Sequence, residues 1–373
     1  MRSGRQYMKL GDFTMPAHPP GYNYTETLQE DLERIVALDE LGYQETWIGE
    51  HFTSAWENIP ANDLFIARAI GETQNIRLGT GVTCMPSHNP FSVAHRIAQL
   101  DHMLKGRFNW GVGPGGFPGD LMAVNIDPAT GKNRQMAREA VDLVLQLWDD
   151  PKPGRYKSEF WDFTVPEPWP EIGMGFHIKP YQKPHPPIAV AGSRPKSATL
   201  VQAGERGWIP ISINFLPWAE VKSQWISVEE GARKAGRVPD RRMWRISRDV
   251  YVADTTKQAR EEALEGPIGR AYGEYVLRIL SKIPGRIQQL KKDPNMADSD
   301  VTPEYLMDHV WMVGSPDDVA SQIRELYEYV GGFGVLVTVG HEWKPMDKWR
   351  HSHELLVNEV LPKLKDLVPT PRS

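Results

Sequence analysis

The chain alternates between short segments that are apolar on both faces and longer segments whose apolar residues recur every three or four positions. The first pattern is typical of buried parallel strands, and the second is typical of amphipathic helices. In "VAHRIAQLDHML", for example, Val93, Ile97 and Leu100 would share one helix face. The segments predicted to be strands are 9–13, 45–49, 76–84, 107–112, 187–191, 208–214, 244–253 and 334–339.

Eight strands that alternate with helices predict a closed (β/α)8 barrel, the TIM-barrel fold, with an open doubly wound sheet as the alternative. Residues 8–373 would form this single domain after a short leader at 1–7. Two segments exceed what a minimal barrel needs, namely 117–170 after the fourth strand and 266–303 after the seventh. Loops of this length usually act as lids or as the walls of binding sites.

The first of these two insertions is rich in aromatic side chains. They would either line an apolar pocket or pack on the outside of the barrel. These residues are Trp148, Phe160, Trp161, Phe163 and Trp169.

Composition excludes several classes of function. The 373 residues carry a net charge of −5, whereas a nucleic-acid-binding protein normally has a basic footprint. Cys84 is the one cysteine, so the chain has no intrachain disulfide and no cysteine metal cluster, and we expect a reducing, cytoplasmic setting. No run approaches the roughly 18 apolar residues of a membrane span.

Candidate catalytic residues follow the predicted strands, because a barrel carries its active site at the carboxyl ends of its strands. Glu50 and His51 end the second strand, and His88 follows the third. A histidine, with an ordinary pKa of about 6.5, suits proton transfer, so His51 is a candidate general acid or base. His51 and His88 could alternatively bind a metal, but no histidine pair at ligand spacing supports this, and we predict no metal site.

The segment "IAVAGSRPKSATLVQAGERG" predicts a strand, a small turn and a helix that begins near Pro195. Gly192 allows close approach of a ligand, and the hydroxyl groups of Ser193 and Ser197 can donate hydrogen bonds to phosphate beside the positive end of the helix. The turn is therefore a candidate phosphate site. The alternative is an ordinary helix start with proline in its first turn.

The run "GVGPGG" satisfies G-x-G-x-x-G literally through Gly111, Gly113 and Gly116. A dinucleotide-binding site also needs an apolar helix directly after the run, and Pro114 and "FPGDL" do not provide one. We interpret the run as a glycine wall against which a flat ring can lie.

Several separated motifs occur in a familiar order. These are "GYQETWIGEHFTSAWENIPANDLFIA", "IRLGTGVTCMPSHNPFSVAHRIAQLDHMLKGRFNWGVGPG", "PPIAVAGSRPKSATLVQAGERG" and "HVWMVGSPDDVASQI". From about Met8 to Lys365 the chain resembles the bacterial-luciferase-like flavin-dependent monooxygenases. Through "WENIP", "EGPIG" and "GGFGVLVTVGHEW" it is most similar to their limonene and diketocamphane monooxygenase branch.

This resemblance implies a TIM barrel, here a homodimer, that receives reduced FMN from a separate NAD(P)H-dependent flavin reductase and uses O2 as co-substrate. His51 matches the family's histidine beside the flavin, with Glu50 as a neighbour that either orients it or holds the adjacent loop. Gly81 and Val82 match a cis peptide bond beneath the flavin ring. The remaining flavin contacts implied by the resemblance are Gly113 beside the ring and Ala191, Gly192, Ser193 and Ser197 at the phosphate.

The expected chemistry is oxygen transfer from a flavin C4a-peroxide to an apolar substrate, as Baeyer–Villiger insertion into a cyclic or terpene-like ketone or as epoxidation of an alkene. Trp56 would exclude water and contact the substrate. In luciferase a reactive cysteine and a phosphate-contacting arginine stand where this chain has Gly113 and Pro114, so light emission is not expected. The alternatives are a deazaflavin (F420)-dependent oxidoreductase on the same barrel and a non-catalytic flavin-binding relative.

Overall fold

A computed structural model describes residues 8–368, so the predicted leader lies outside the described residues. All eight predicted strands are present, and two of them are interrupted. The strands are β1 (Lys9–Thr14), β2 (Glu45–Ile48), β3 (Arg77–Thr80), β4 (Thr83–Cys84), β5 (Phe108–Gly113), β6 (Gly154–Lys157), β7 (Asp162–Val165), β8 (Ile188–Gly192), β9 (Ile209–Ser212), β10 (Arg245–Arg248), β11 (Val250–Val252), β12 (Met312–Gly314) and β13 (Val335–Val339).

Helices follow most of these strands. The α-helices are α1 (Tyr24–Glu40), α2 (Asn62–Ala69), α3 (Pro90–Met103), α4 (Pro118–Ala123), α5 (Lys132–Asp149), α6 (Ala198–Arg206), α7 (Trp218–Lys234), α8 (Thr256–Glu265), α9 (Pro267–Ala271), α10 (Leu277–Lys282), α11 (Arg286–Leu290), α12 (Pro303–His309), α13 (Pro316–Val330) and α14 (Met346–Leu355). π-Helical turns span Tyr272–Val276 and Leu356–Val360. Short 3-10 turns span Met85–Ser87, Pro128–Thr130, Pro170–Ile172, Arg241–Met243, Asp298–Asp300 and Leu361–Leu364.

The main sheet closes on itself and confirms the (β/α)8 barrel. Its strand order is β3-β2-β1-β13-β10-β9-β8-β5-β4, and β3 also pairs with β5, which closes the ring of eight strands. The pairs β1–β13, β10–β13, β9–β10, β3–β5 and β5–β8 are parallel. Because the strands run in parallel, their carboxyl ends lie at one end of the barrel.

The described chain separates into two compact units. One consists of residues 8–46, 55–57 and 190–368, and the other of 47–54 and 58–189. In the first unit, helices α8 to α12 surround an aromatic core that includes Tyr251, Tyr272 and Trp311. In the second unit, α3 packs against α5, and the indole N–H of Trp148 donates to the carbonyl of Ala94 at 3.0 Å.

The two long segments contain regular structure. Residues 117–170 form α4, α5 and a hairpin made by β6 and β7, and 266–303 forms α9, a π-helical turn, α10 and α11. Of the aromatic residues proposed for a pocket, Trp148 is 4% exposed and packs edge-on against Trp110, so for Trp148 the packing alternative is right. Phe163 stacks on Tyr156 within the hairpin. Between residues 8 and 368, no helix is long and apolar enough to cross a membrane.

Candidate active site

His51 lies directly beyond β2 and is paired with a carboxylate that the sequence reading missed. Its Nδ1 lies 2.8 Å from Oδ2 of Asp120 in α4, and its ring packs against Phe117 at 4.8 Å between centroids. The backbone N–H of His51 donates to the carbonyl of Ile59 at 3.0 Å. The side chain is 23% exposed, so the ring is held on one side and remains accessible to a ligand.

Asp120 is organised to remain a carboxylate. It accepts hydrogen bonds from the backbone N–H groups of Phe52 and Thr53 at 3.0 and 2.9 Å, and from the Thr53 hydroxyl at 2.7 Å. Burial raises the pKa of Asp120, but the hydrogen bonds from His51, Thr53 and Phe52 outweigh burial and place this pKa below its ordinary value. An ionised carboxylate only accepts hydrogen bonds, so Nδ1 of His51 carries the proton that is donated to Asp120.

The Glu50 side chain contacts His88 and the backbone of Cys84. Its Oε1 lies 2.8 Å from Nε2 of His88 and accepts the backbone N–H of Cys84 at 3.2 Å, whereas its Oε2 is buried without a hydrogen-bond partner. Of the two roles expected for Glu50, orienting His51 or holding the adjacent loop, these contacts favour holding the loop after β4. Asp120 takes the orienting position.

In the loop after β3, the peptide bond between Gly81 and Val82 is cis, which confirms the prediction of a cis bond at this position. The Gly81 N–H donates to the carbonyl of Ile48 at 2.6 Å, and the Asn62 side chain donates to the carbonyls of Ile48 and Val82 at 3.2 and 3.1 Å. These bonds fix the loop to the end of β2.

The glycine run explains how closely β5 approaches this loop. A Cβ atom on Gly113 would lie 2.6 Å from Cγ2 of Val82, and one on Gly111 would lie 2.0 Å from the carbonyl oxygen of Thr80. Both glycines are thus required by packing against β3 and the residues that follow it. A role for Gly113 beside a flat ring remains a prediction.

The turn 192–197 follows β8, and its helix begins later than expected, at Ala198 rather than near Pro195. Ser197 occupies the N-cap position without a capping hydrogen bond; its Oγ lies 2.7 Å from Oγ1 of Thr199, which donates to the carbonyl of Ala191 at 2.8 Å. Because the Thr199 proton is used there, Ser197 must donate to Thr199. The Ser197 proton is therefore committed within the chain.

Ser193 is held by a residue that the sequence reading did not single out. Arg286 of α11 donates to the backbone carbonyl of Ser193 and, at 3.2 Å, to its Oγ. Since Ser193 Oγ accepts this bond, its own proton is available to a ligand. Arg286 lies 93 residues further along the chain, and no local pattern connects it with this turn.

A separate cluster of hydrogen-bonded polar side chains, centred on Asp249, lies at the ends of β9, β10 and β13. Asp249 is fully buried and accepts hydrogen bonds from His341 at 2.8 Å, Tyr272 at 2.7 Å and Asn214 at 2.9 Å. Burial raises the pKa of Asp249, but these three partners, His341 above all, bring it below its ordinary value.

Trp56 stacks on a tyrosine of the second insertion. Its ring lies 5.2 Å from that of Tyr275 with an angle of 18° between the planes, and the Tyr275 hydroxyl donates to Glu57. The residue predicted to contact substrate is thus held on one face by the π-helical turn. Over residues 8–368, no group of three or more His, Cys, Asp or Glu side chains is arranged to hold a metal ion.

Comparisons with known proteins agree with the parallel barrel. A sequence model of the family described as "Luciferase-like monooxygenase" matches residues 8–332. The chain therefore belongs to the luciferase-like monooxygenases.

Two curated members and one solved structure illustrate the similarity. The chain is 33% identical to 3,6-diketocamphane 1,6-monooxygenase of Pseudomonas putida, over 96% of this chain and 98% of the relative. It is 31% identical to limonene 1,2-monooxygenase of Rhodococcus erythropolis, over 98% and 89%. The structure of the oxygenating constituent of 3,6-diketocamphane monooxygenase, a Type II Baeyer–Villiger monooxygenase in complex with FMN, aligns with a TM-score of 0.88 at 32% identity, over 96% of this chain and 99% of that chain.

Proposed function

We propose that this chain is the oxygenase of a two-component system, which takes reduced FMN from a separate NAD(P)H-dependent flavin reductase and uses O2 to oxygenate an apolar, cyclic or terpene-like ketone or alkene. The observation that carries the proposal is the His51–Asp120 pair at the end of β2, at 2.8 Å. The similar Pseudomonas protein is described as an oxygenating constituent in complex with FMN, which supports both the cofactor and the division of labour.

The turn 192–197 has the features that the phosphate of FMN requires. Gly192 is buried, and a Cβ atom there would lie 2.5 Å from Cδ1 of Leu200, so packing against Leu200 keeps this position free of a side chain. Ser193 retains its hydroxyl proton for a ligand, and the turn leads into the amino end of the nine-residue helix α6, whose unpaired N–H groups favour an anion.

When bound, reduced FMN supplies the electrons that activate O2, and the residues around His51 control the surrounding protons. The carboxylate of Asp120 keeps a proton on Nδ1 of His51, so Nε2 can accept or donate one as the reaction needs. Glu50 fixes the loop that carries His88, and Phe117 packs on the His51 ring. The 2.8 Å contact between the two side chains supports proton control by His51 and positioning by Asp120.

Trp56 would form the wall that contacts the substrate and excludes water. Its ring stacks on Tyr275, and an aromatic ring that is already held by packing loses less conformational freedom when it binds an apolar molecule. Exclusion of water matters because it prevents the loss of activated oxygen as hydrogen peroxide.

The decisive experiment combines the purified chain with FMN, NADH, a separate flavin reductase and a panel of bicyclic ketones and cyclic terpenes under ¹⁸O2. We expect products that contain one ¹⁸O atom, formed only when all components are present. The matched variant His51→Ala should bind FMN and melt as the wild type does, but release hydrogen peroxide in place of product.

Three results would count against the proposal. The first is rapid NADH oxidation by the isolated chain without a reductase. The second is substrate reduction or oxidation that depends on the deazaflavin F420 and ignores O2. The third is flavin binding with no ¹⁸O in any product of the panel, which would leave a non-catalytic flavin-binding protein.

A further inference from the structure

Arg286 of the second insertion has donors that its surroundings do not satisfy. Its Nη1 donates to the carbonyl of Ser193 and to Oε1 of Gln289, the latter at 3.2 Å, and its Nη2 donates to Oγ of Ser193 at 3.2 Å. Its Nε, however, is buried without a hydrogen-bond partner. A buried N–H of a charged group that is left unpaired is costly, which indicates that part of the binding partner is missing.

The charge of Arg286 is also incompletely balanced. Burial lowers the pKa of Arg286, and the nearby guanidinium of Arg194 lowers it further, whereas Glu220 acts in the opposite direction. Glu220 itself has a pKa raised by burial and a buried Oε2 without a partner. Arg286 therefore faces the like charge of Arg194, a residue of the turn 192–197, and is stabilised electrostatically by Glu220.

A doubly charged oxyanion would resolve both features at once. The guanidinium group is planar and matches the oxygen atoms of phosphate through paired N–H donors. Ser193 is the residue of the turn that Arg286 contacts, and its hydroxyl proton is available. An apolar or cationic ligand would neither accept a hydrogen bond from the unpaired Nε nor neutralise the two like charges of Arg194 and Arg286.

We propose that Arg286 is a binding residue for a phosphate monoester at the turn 192–197, and, resting on the function proposed above, that this phosphate is that of FMN. Arg286 thereby brings a charge from the insertion 266–303 to a ligand held after β8. The same insertion carries Tyr275, which holds Trp56. Binding of the phosphate consequently fixes the segment that also positions the substrate wall.

The test compares FMN with riboflavin, which has the same ring system and no phosphate. Dissociation constants for both are measured on the full chain, oxidised and, under anaerobic conditions, reduced. In Arg286→Gln we expect FMN affinity to fall by about tenfold to a hundredfold, as expected for lost charged hydrogen bonds, and riboflavin affinity to change by less than about twofold. Arg286→Lys should recover part of the loss, since it keeps the charge and loses the planar fork.

The matched control is Arg278→Gln, which removes the same charge from an exposed position in α10 of the same insertion. It should leave both affinities unchanged. Equal weakening of FMN and riboflavin in Arg286→Gln would show a purely structural role and overturn the proposal, as would unchanged FMN affinity.

A second measurement separates this proposal from the proposed function. If the wild type bound neither FMN nor riboflavin, the function would fail, and Arg286 would be judged with inorganic phosphate. Hydrogen exchange of 192–199 and 283–290 would be followed in phosphate and in chloride at equal ionic strength. Protection by phosphate that disappears in Arg286→Gln supports an oxyanion site, and absence of protection in the wild type overturns it.

Discussion

Replacing Asp120 with asparagine should reverse the hydrogen-bond polarity at His51 while keeping the local structure. The asparagine oxygen can still accept the bonds from Phe52 and Thr53 that hold the loop. Its amide nitrogen would face Nδ1 of His51 and donate to it, so the ring proton would move to Nε2. The variant therefore carries the opposite tautomer in an otherwise intact site.

The size of the effect follows from the loss of the hydrogen bond that His51 donates to the Asp120 carboxylate. The 2.8 Å contact between His51 Nδ1 and the Asp120 carboxylate is a hydrogen bond to a charged group, worth about 1.5–3 kcal/mol. At about 1.4 kcal/mol per tenfold, this corresponds to a decrease in productive oxygenation of about tenfold to a hundredfold. Melting temperature and FMN affinity should stay close to those of the wild type.

The assay is a single turnover in which reduced FMN and substrate are mixed with O2. Product and hydrogen peroxide per flavin are measured for the wild type, Asp120→Asn, His51→Ala and the double variant. Because Asp120 acts through His51, the double variant should be no worse than His51→Ala alone. Independent, multiplying losses in the double variant, or wild-type coupling in Asp120→Asn, would refute the reasoning.

Three further predictions concern binding, packing and acid stability. Ser193→Ala should weaken FMN binding by about tenfold and Ser197→Ala by less than about threefold in a flavin titration, because only Ser193 has an uncommitted proton. Gly111→Ala should destabilise the fold by about 1–3 kcal/mol in chemical denaturation, since its Cβ would lie 2.0 Å from a backbone oxygen of β3; Gly116→Ala, with no atom within 4 Å, is its control. The lowered pKa of Asp249 contributes stability above the ordinary pKa of about 3.9, and this contribution is lost as the pH falls through the lower value of the folded state. Asp249→Asn should therefore show a weaker dependence of melting temperature on pH below about 4, and an unchanged dependence would contradict this assignment.

The barrel could be predicted from the sequence because its signal is local. Each strand is a short apolar run, and the helices between them carry clear periodicity and caps, as at α13, where Ser315 and Asp318 form the capping box that Pro316 accompanies. Strand boundaries were less accurate where the backbone bends. The predicted strand 76–84 is divided at the cis Gly81–Val82 bond, and 244–253 is divided between β10 and β11.

The partners within the site could not be predicted in the same way because they depend on long-range packing. Glu50 precedes His51 in the chain, yet neighbouring residues of an extended segment point in opposite directions, so adjacency was a poor guide. The partner of His51 is 69 residues away. One signal was present in "FPGDL", where an acid follows proline and glycine at a helix start, a position that favours a fixed carboxylate.

The position of Asp120 in α4 has a consequence for engineering. This helix opens the segment that an engineer would exchange first when grafting a loop from a relative to change which molecules the barrel accepts. Such a graft would also remove the acceptor for His51 and for the backbone of Phe52 and Thr53. A chimera that retains an aspartate at this position should keep its yield of product per flavin. In a chimera without it, a lower yield would reflect the loss of the His51 partner and could be mistaken for a change in substrate preference.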